Sequence, residues 1–113
     1  MKQGKYKIEY THSSRDDIRA RKWYILRKFK YREYAENFSK KMKAAAESLK
    51  TLPTGYDTTG FQYRGYDVYL KPYLTYQFFY VINESTKTVT ILRVLQDGMN
   101  WRMVLDQWLC ESE

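Results

Sequence analysis

Cationic and phenolic side chains in the second half of the sequence are the residues that could do chemistry. The candidates are Arg64, Lys71, Tyr76, Arg93 and Arg102. Metal-free cleavage of RNA needs a base for the 2′-hydroxyl, cations for the phosphorane and an acid for the leaving oxygen. Lysine and arginine can supply the cations and a tyrosine the proton, so a degenerate nuclease site is possible. The sequence offers no evident acid–base pair beside them.

Arg93 also has a structural interpretation. Alternation along its strand places it on one face with Val89, Ile91 and Leu95. A guanidinium on such a face is a partly buried, paired side chain at least as often as it is a phosphate ligand.

Metal and thiol chemistry have little support in the sequence. The only cysteine, Cys110, and the only histidine, His12, lie at opposite ends of the chain. Zinc, haem and iron–sulfur sites need clustered ligands, so we expect no metal and no cofactor. The absence of a long apolar run and of an apolar leader predicts a cytoplasmic protein that does not span a membrane.

The net charge of +7 is unevenly distributed. Residues 1–50 carry 15 Lys and Arg against 6 Asp and Glu, and residues 51–113 carry 5 against 7. This asymmetry predicts a polyanionic or acidic partner such as nucleic acid, the ribosome or an acidic protein. A solvated basic helix face explains the charge equally well.

The elements that must position these residues can be predicted from periodicity. At 113 residues the chain fits one domain, residues 1–113. Alternation in Lys5–Tyr10 predicts a strand, and Ser13 and Ser14 are suitable N-caps for a helix over Arg15–Phe29. Apolar residues then repeat at helical spacing as far as Pro53, which predicts a second helix and an antiparallel helical hairpin.

Strand patterns follow the hairpin. The segment Thr54–Gly60 is typical of a turn, and Phe61–Lys71 predicts a strand. The segment Tyr76–Ile82 is apolar on both faces and predicts a central strand, Thr88–Leu95 predicts a fourth strand, and Pro72 indicates a loop. Trp101, Val104, Leu105 and Trp108 predict a short C-terminal helix. The fold class is therefore α+β, a helical hairpin packed on a twisted, mostly antiparallel four-stranded sheet.

Three stretches in this order resemble toxins of the RelE/ParE superfamily. These stretches are YKIEYTHSSRDDIRARKWYI, YLTYQFFYVINES and TVTILRVLQDGMNWRMVL, and together they span about residues 5 to 109. The resemblance implies the toxin of a bacterial type II toxin–antitoxin system, a cognate antitoxin as partner, and a role in growth inhibition and plasmid stabilization.

The resemblance leaves two targets open, DNA gyrase for ParE-like members and ribosome-bound messenger RNA for RelE-like members. Gln77 stands where RelE-like members often carry arginine, and Gln96-Asp97-Gly98 stands where they place basic residues or His-Tyr. Only Arg93 matches a family motif directly. We therefore favour a ParE-like gyrase inhibitor, with a metal-free endoribonuclease as the alternative.

Binding surfaces can also be assigned as expectations. We expect the antitoxin to contact Ile25, Phe29, Tyr34 and Phe38, and the target to contact Trp101, Arg102 and Trp108. Two further interpretations remain, a non-catalytic nucleic-acid-binding module and an inactive structural relative. The 12 tyrosines and the positive charge suit the former, because aromatic rings interleaved with cations can stack on bases.

Overall fold

The computed structural model describes residues 5–112, and it contains one mixed sheet with helices before and after it. Strand β1 (Lys7–Tyr10) leads to helices α1 (His12–Phe29) and α2 (Arg32–Glu47), and two 3₁₀ turns, Ser48–Lys50 and Pro53–Gly55, follow. The remaining elements are β2 (Asp57–Tyr63), β3 (Tyr66–Tyr73), β4 (Tyr76–Asn83), β5 (Thr88–Gln96) and α3 (Trp101–Ser112). Within this part of the chain, no helix is both long and apolar enough to cross a membrane.

The strands are arranged in the order β1-β5-β4-β3-β2. The β1 strand pairs with β5 in parallel, and the other three pairings are antiparallel. The predicted α+β class is thus confirmed, as is the central position of β4. The sheet has five strands, however, and the predicted number of four was wrong.

The additional strand comes from a hairpin that the sequence analysis missed. Tyr63 pairs with Tyr66, and both intervening residues, Arg64 and Gly65, have positive φ angles of 52° and 87°. Two consecutive positive φ angles define the type I′ turn that joins hairpin strands closely. The predicted single strand over Phe61–Lys71 is therefore the end of β2 and most of β3, and the predicted turn over Thr54–Gly60 contains the start of β2.

Pro72 was also misassigned, because it lies inside β3 opposite Gln77. The pairing of β2 with β3 extends only to Leu70, so Pro72 lies where β3 is locally an edge strand. An edge position tolerates a residue that has no N–H to donate. The turn to β4 is formed instead at Leu74 and Thr75, and Leu74 has a φ of 55°.

The first helix begins earlier than predicted, and its N-cap is Thr11. The Ser14 backbone N–H donates to Thr11 Oγ1 at 3.1 Å, and Thr11 Oγ1 donates to the Leu92 carbonyl at 2.8 Å. The cap therefore fixes the start of α1 to β5. Lys30, with a φ of 61°, ends α1 and lets α2 return antiparallel to it.

Apolar side chains cover both faces of the sheet. One core cluster includes Phe38, Met42 and Leu49 of the helical hairpin together with Phe78 and Tyr80 of β4. The alternate β4 residues Phe79 and Val81 join a second cluster with Leu105 and Leu109 of α3. Successive residues of a strand point to opposite faces, so the hairpin and α3 lie on opposite sides of the sheet.

Candidate functional site

A groove of about 290 Å³ lies where α1 passes the start of β4 and the end of β5. Arg21, Tyr24, Tyr76, Arg93 and Gln96 are among its lining residues. Arg21 Nε donates to Tyr76 Oη at 3.0 Å, and the Arg21 guanidinium lies 4.4 Å from the centre of the Tyr24 ring. The groove therefore combines a phenol with a neighbouring cation.

Arg93 is held by a partner that the sequence analysis did not identify. Its Nε and Nη2 donate to the two carboxylate oxygens of Asp17 at 2.7 and 2.8 Å, and the Val94 N–H donates to Asp17 Oδ2 at 2.9 Å. The side chains of Arg93 and Asp17 are only 17% and 15% exposed. This bidentate ion pair neutralises the guanidinium and occupies both oxygens of the carboxylate.

The predicted face of Arg93 requires a correction. Phe79 pairs with Arg93 and Tyr80 with Ile91, so Leu92 is the additional residue of a β-bulge. The bulge changes the alternation, because Val89 and Ile91 face the helical hairpin whereas Leu95 belongs to the cluster beneath α3. The four residues therefore do not share one face.

The other candidate cations do not line this groove. Lys71 is 7% exposed, donates to Tyr56 Oη at 3.0 Å and lies 4.8 Å from the centre of the Tyr56 ring. Arg64 occupies the exposed β2–β3 turn. Arg102 lies on α3 above the Trp101 ring, in a separate groove. Of the five candidate residues, the structure brings together only Tyr76 and Arg93.

The buried tyrosine of the central strand is a structural group. Tyr80 Oη donates to the Pro53 carbonyl at 2.5 Å. Burial, with a smaller contribution from Tyr56, raises the pKa of Tyr80 well above its ordinary value. Its phenol therefore stays protonated and connects the sheet to the segment that precedes β2.

Exposed aromatic rings lie on the C-terminal half of α1, at its turn to α2 and at the start of α2. We call this surface the aromatic tip, and its residues are Trp23, Tyr24, Phe29, Tyr31 and Tyr34. Tyr34 makes edge-on contacts with the Phe29 ring at 5.5 Å and with the Tyr31 ring at 5.6 Å. Exposed apolar surface of this kind is typical of a site for a protein partner.

The four predicted antitoxin contacts differ in their exposure. Phe29 and Tyr34 are 45% and 46% exposed, and Ile25 is half-buried. Phe38 is only 8% exposed and packs against the Tyr76 ring at 5.5 Å. Trp23 and Tyr31, which the sequence analysis did not select, are more exposed than any of these four. Apolar residues at helical spacing can be buried or exposed. Which of them are buried depends on where the helix packs against the sheet.

The C-terminal helix is attached through its tryptophans. Trp108 stacks on Tyr63 with 5.6 Å between ring centres, and its Nε1 donates to Ser13 Oγ at 2.9 Å. Trp101 contacts the Phe79 ring at 5.2 Å. Of the three predicted target contacts, both tryptophans are half-buried, and Arg102 is exposed.

Metal binding has no support in the described part of the chain. Between residues 5 and 112, His, Cys, Asp and Glu side chains form no group of three that could hold a metal ion.

A match to a protein-family model shows to which family the chain belongs. Residues 8–101 match the model described as "ParE toxin of type II toxin-antitoxin system, parDE". The chain belongs to the ParE toxin family. It is the toxin component of a type II toxin–antitoxin system, and the resemblance seen in the sequence is confirmed.

Solved structures that share the fold include two toxin–antitoxin systems. The chromosomal ParDE system from P. aeruginosa aligns with a TM-score of 0.63 at 12% identity, over 82% of this chain and 97% of that chain. The RelBE2 toxin–antitoxin complex from Mycobacterium tuberculosis aligns with a TM-score of 0.58 at 19% identity, over 87% and 98%. Among curated proteins, no sequence matches this ParE-family toxin.

Proposed function

We propose that this ParE-family toxin inhibits DNA gyrase in the cytoplasm without cutting RNA, and that a cognate antitoxin neutralises it. The observation that carries the proposal is the arrangement of the five candidate cleavage residues. Arg93 is neutralised by Asp17, Lys71 is buried against Tyr56, and Arg64 and Arg102 lie outside the groove that contains Tyr76.

The chemistry of RNA cleavage explains why this arrangement argues against a nuclease. Cations that bind the substrate and the transition state equally do not accelerate the reaction. A base must accept the 2′-hydroxyl proton, yet both oxygens of Asp17 already accept hydrogen bonds. An inhibitor of gyrase needs only a complementary surface, which the exposed part of α3 can provide.

A ribosome-dependent ribonuclease is the second candidate, and one contact favours it. Arg21 lies 3.0 Å from Tyr76 Oη in the groove, so a cation adjoins a possible proton donor. In this alternative Tyr76 is the acid, and Tyr76→Phe removes the proton while keeping the ring contact with Phe38.

Two assays on the same purified toxin separate the candidates. In the first, relaxed plasmid is incubated with gyrase and toxin, and supercoiling and DNA breaks are measured. In the second, primer extension detects cuts in messenger RNA during translation in vitro. We expect inhibition and DNA breaks in the first assay and no cuts in the second. Codon-specific cuts that are lost in Arg64→Ala, Lys71→Ala or Tyr76→Phe, but kept in Lys40→Ala, would overturn the proposal.

The antitoxin contact is proposed at the aromatic tip. The solved ParDE and RelBE2 relatives come from toxin–antitoxin systems, which supports a protein partner for this chain as well. Large exposed aromatic side chains provide most of the binding energy in such interfaces. Phe29 and Tyr34, which already contact each other, are the proposed centre of the site.

A further inference from the structure

The net positive charge of this toxin comes from its helical hairpin and the 3₁₀ turn that follows it. Residues 12–50 contain twelve Lys and Arg against five Asp and Glu, which gives a net charge of +7. The whole chain also has a net charge of +7, so its remaining residues are neutral in sum. A charge confined to one part of the chain creates a directed field rather than a general solubilising charge.

A cleft between the two helices collects part of this charge. It has a volume of about 380 Å³, and cations from both helices line it: Arg15, Arg19, Lys22 and Lys43. On α1 these cations recur after four and three residues, so they lie on one face along about 10 Å of the helix. We call this surface the basic cleft.

Most of the cations in the basic cleft are available to a ligand. Within residues 5–112, Arg15, Lys22 and Lys43 form no salt bridge, whereas Arg19 pairs with Asp16 at 3.0 Å. The carboxylate in the cleft is Glu47, and Lys50 engages it at 2.6 Å. The cleft therefore has three cations that form no salt bridge within the described part of the chain, and of these Arg15 also lies 5.5 Å from the centre of the Tyr10 ring.

The apolar content of the cleft distinguishes between an acidic protein and a nucleic acid. A protein partner needs exposed apolar anchors, but of the apolar residues that line the cleft Met42 is only 2% exposed, and Tyr10 and Ile18 are half-buried. The exposed rings lie instead at the aromatic tip, toward the C-terminal end of α1 and the start of α2. Phosphate groups need only accessible cations, because backbone contacts to nucleic acid are electrostatic and carry no sequence information.

We propose that the basic cleft binds the phosphate backbone of nucleic acid without sequence preference, through Arg15, Lys22 and Lys43. The proposal does not depend on gyrase as the target, because binding is measured on nucleic acid alone. It assigns separate surfaces to the two classes of partner, the cleft to phosphates and the tip to protein.

The test measures binding of the full chain to labelled duplexes of about 20 base pairs by fluorescence anisotropy at several salt concentrations. Two DNA duplexes of different sequence test for sequence preference, and one RNA duplex tests whether the cleft distinguishes RNA from DNA. The variant is Arg15→Gln/Lys22→Gln/Lys43→Gln. Its matched control is Lys5→Gln/Arg32→Gln/Lys40→Gln, which removes the same charge from exposed residues outside the cleft.

We expect the chain to bind both DNA sequences with equal affinity. For the cleft variant, the slope of log affinity against log salt should fall by about 2.7, since each phosphate contact contributes about 0.9. The control should retain most of the slope, and both variants should melt at the temperature of the parent protein. Equal losses in the two variants would show that net charge alone acts, and would overturn the proposal. Loss of binding to a labelled Glu-rich amphipathic peptide, with DNA binding unchanged, would also overturn it and assign the cleft to a protein.

Discussion

At the scale of residues, the ion pair between Asp17 and Arg93 shows which contacts could be predicted from the sequence and which could not. The sequence left Arg93 open as either a paired, partly buried side chain or a phosphate ligand, and in the structure it is paired with Asp17. Its partner could not be predicted, because Asp17 lies 76 positions away and also resembles a first-turn helix residue that interacts with the helix dipole. The alternation of residues along β5 could not decide the question, because a β-bulge interrupts it; the packing of α1 against β5 identifies the group that neutralises Arg93.

Removal of the Asp17 carboxylate should destabilise the toxin strongly. In Asp17→Ala the Arg93 guanidinium keeps its charge at 17% exposure without a partner, which costs about 3–5 kcal/mol. The double variant Asp17→Ala/Arg93→Met should be less destabilised than the single variant, because no unpaired charge remains. Urea unfolding measures both. Asp16→Ala is the control, since its surface pairs should contribute at most about 1 kcal/mol. Strictly additive effects of Asp17→Ala and Arg93→Met would contradict this account.

The Thr11 hydroxyl should contribute to stability in two ways at once. It accepts the first-turn N–H of Ser14 and donates to the Leu92 carbonyl. Thr11→Ala should therefore cost about 1–2 kcal/mol of unfolding free energy. Thr11→Ser retains the hydroxyl and should cost clearly less. If calorimetry gave the same melting temperature for both variants, the hydroxyl would not be the cause.

At the scale of elements, the helices were predicted better than the strands. All three helices follow from apolar residues at helical spacing, but α1 begins three residues before the predicted start and α2 ends at Glu47 instead of continuing to Pro53. The β2–β3 hairpin was missed because Thr58, Thr59 and Gly60 resemble a loop and because Arg64 is unusual at positive φ. The β-bulge at Leu92 likewise leaves no local signal, since it depends on the pairing with β4. A feature that depends on the pairing of two strands cannot be predicted from the sequence of either strand alone.

The C-terminal helix should depend on its two tryptophans for its position. Trp101 and Trp108 contact Phe79 and Tyr63, and Trp108 also donates to Ser13. Replacement of both with alanine should lower the free energy of unfolding by about 3 kcal/mol or more. Met103→Ala on the same helix is the control, because Met103 is 63% exposed and should change stability by at most about 0.5 kcal/mol. An unchanged urea midpoint in the double variant would show that the contacts of α3 do not stabilise the domain.

The aromatic tip should determine affinity for the antitoxin. Phe29→Ala and Tyr34→Ala each remove one ring of an edge-on pair, and each should weaken binding by about tenfold or more. Leu52→Ala removes a similarly exposed apolar side chain elsewhere, 66% exposed, and should leave the affinity unchanged. Isothermal titration calorimetry with the co-encoded antitoxin makes the comparison. Equal affinities for all three variants would place the interface on another surface.

At the scale of the whole molecule, the positive charge and the exposed apolar surface lie at different places on the hairpin. Residues 12–50, the hairpin and the 3₁₀ turn after it, carry a net charge equal to that of the chain, and the far end of the hairpin carries the exposed rings. The charge asymmetry is present in the sequence, which left two explanations open, an acidic or polyanionic partner and a solvated helix face. It could not predict the separation of the basic cleft from the aromatic tip. That separation depends on how the two helices lie side by side.

Because the charge is concentrated on one side, association with an acidic antitoxin should be steered electrostatically. We expect the association rate constant to fall by about tenfold or more between about 0.05 M and about 0.5 M salt, as the screening length shortens. The dissociation rate should change much less, since it depends on the aromatic contacts that we expect the complex to bury. Stopped-flow fluorescence of the exposed Trp23, which is 58% accessible, can follow both rates. Arg15→Gln/Lys22→Gln/Lys43→Gln should slow association at low salt more than it accelerates dissociation. An association rate constant that does not depend on salt would contradict electrostatic steering, and would mean that apolar contacts alone control association.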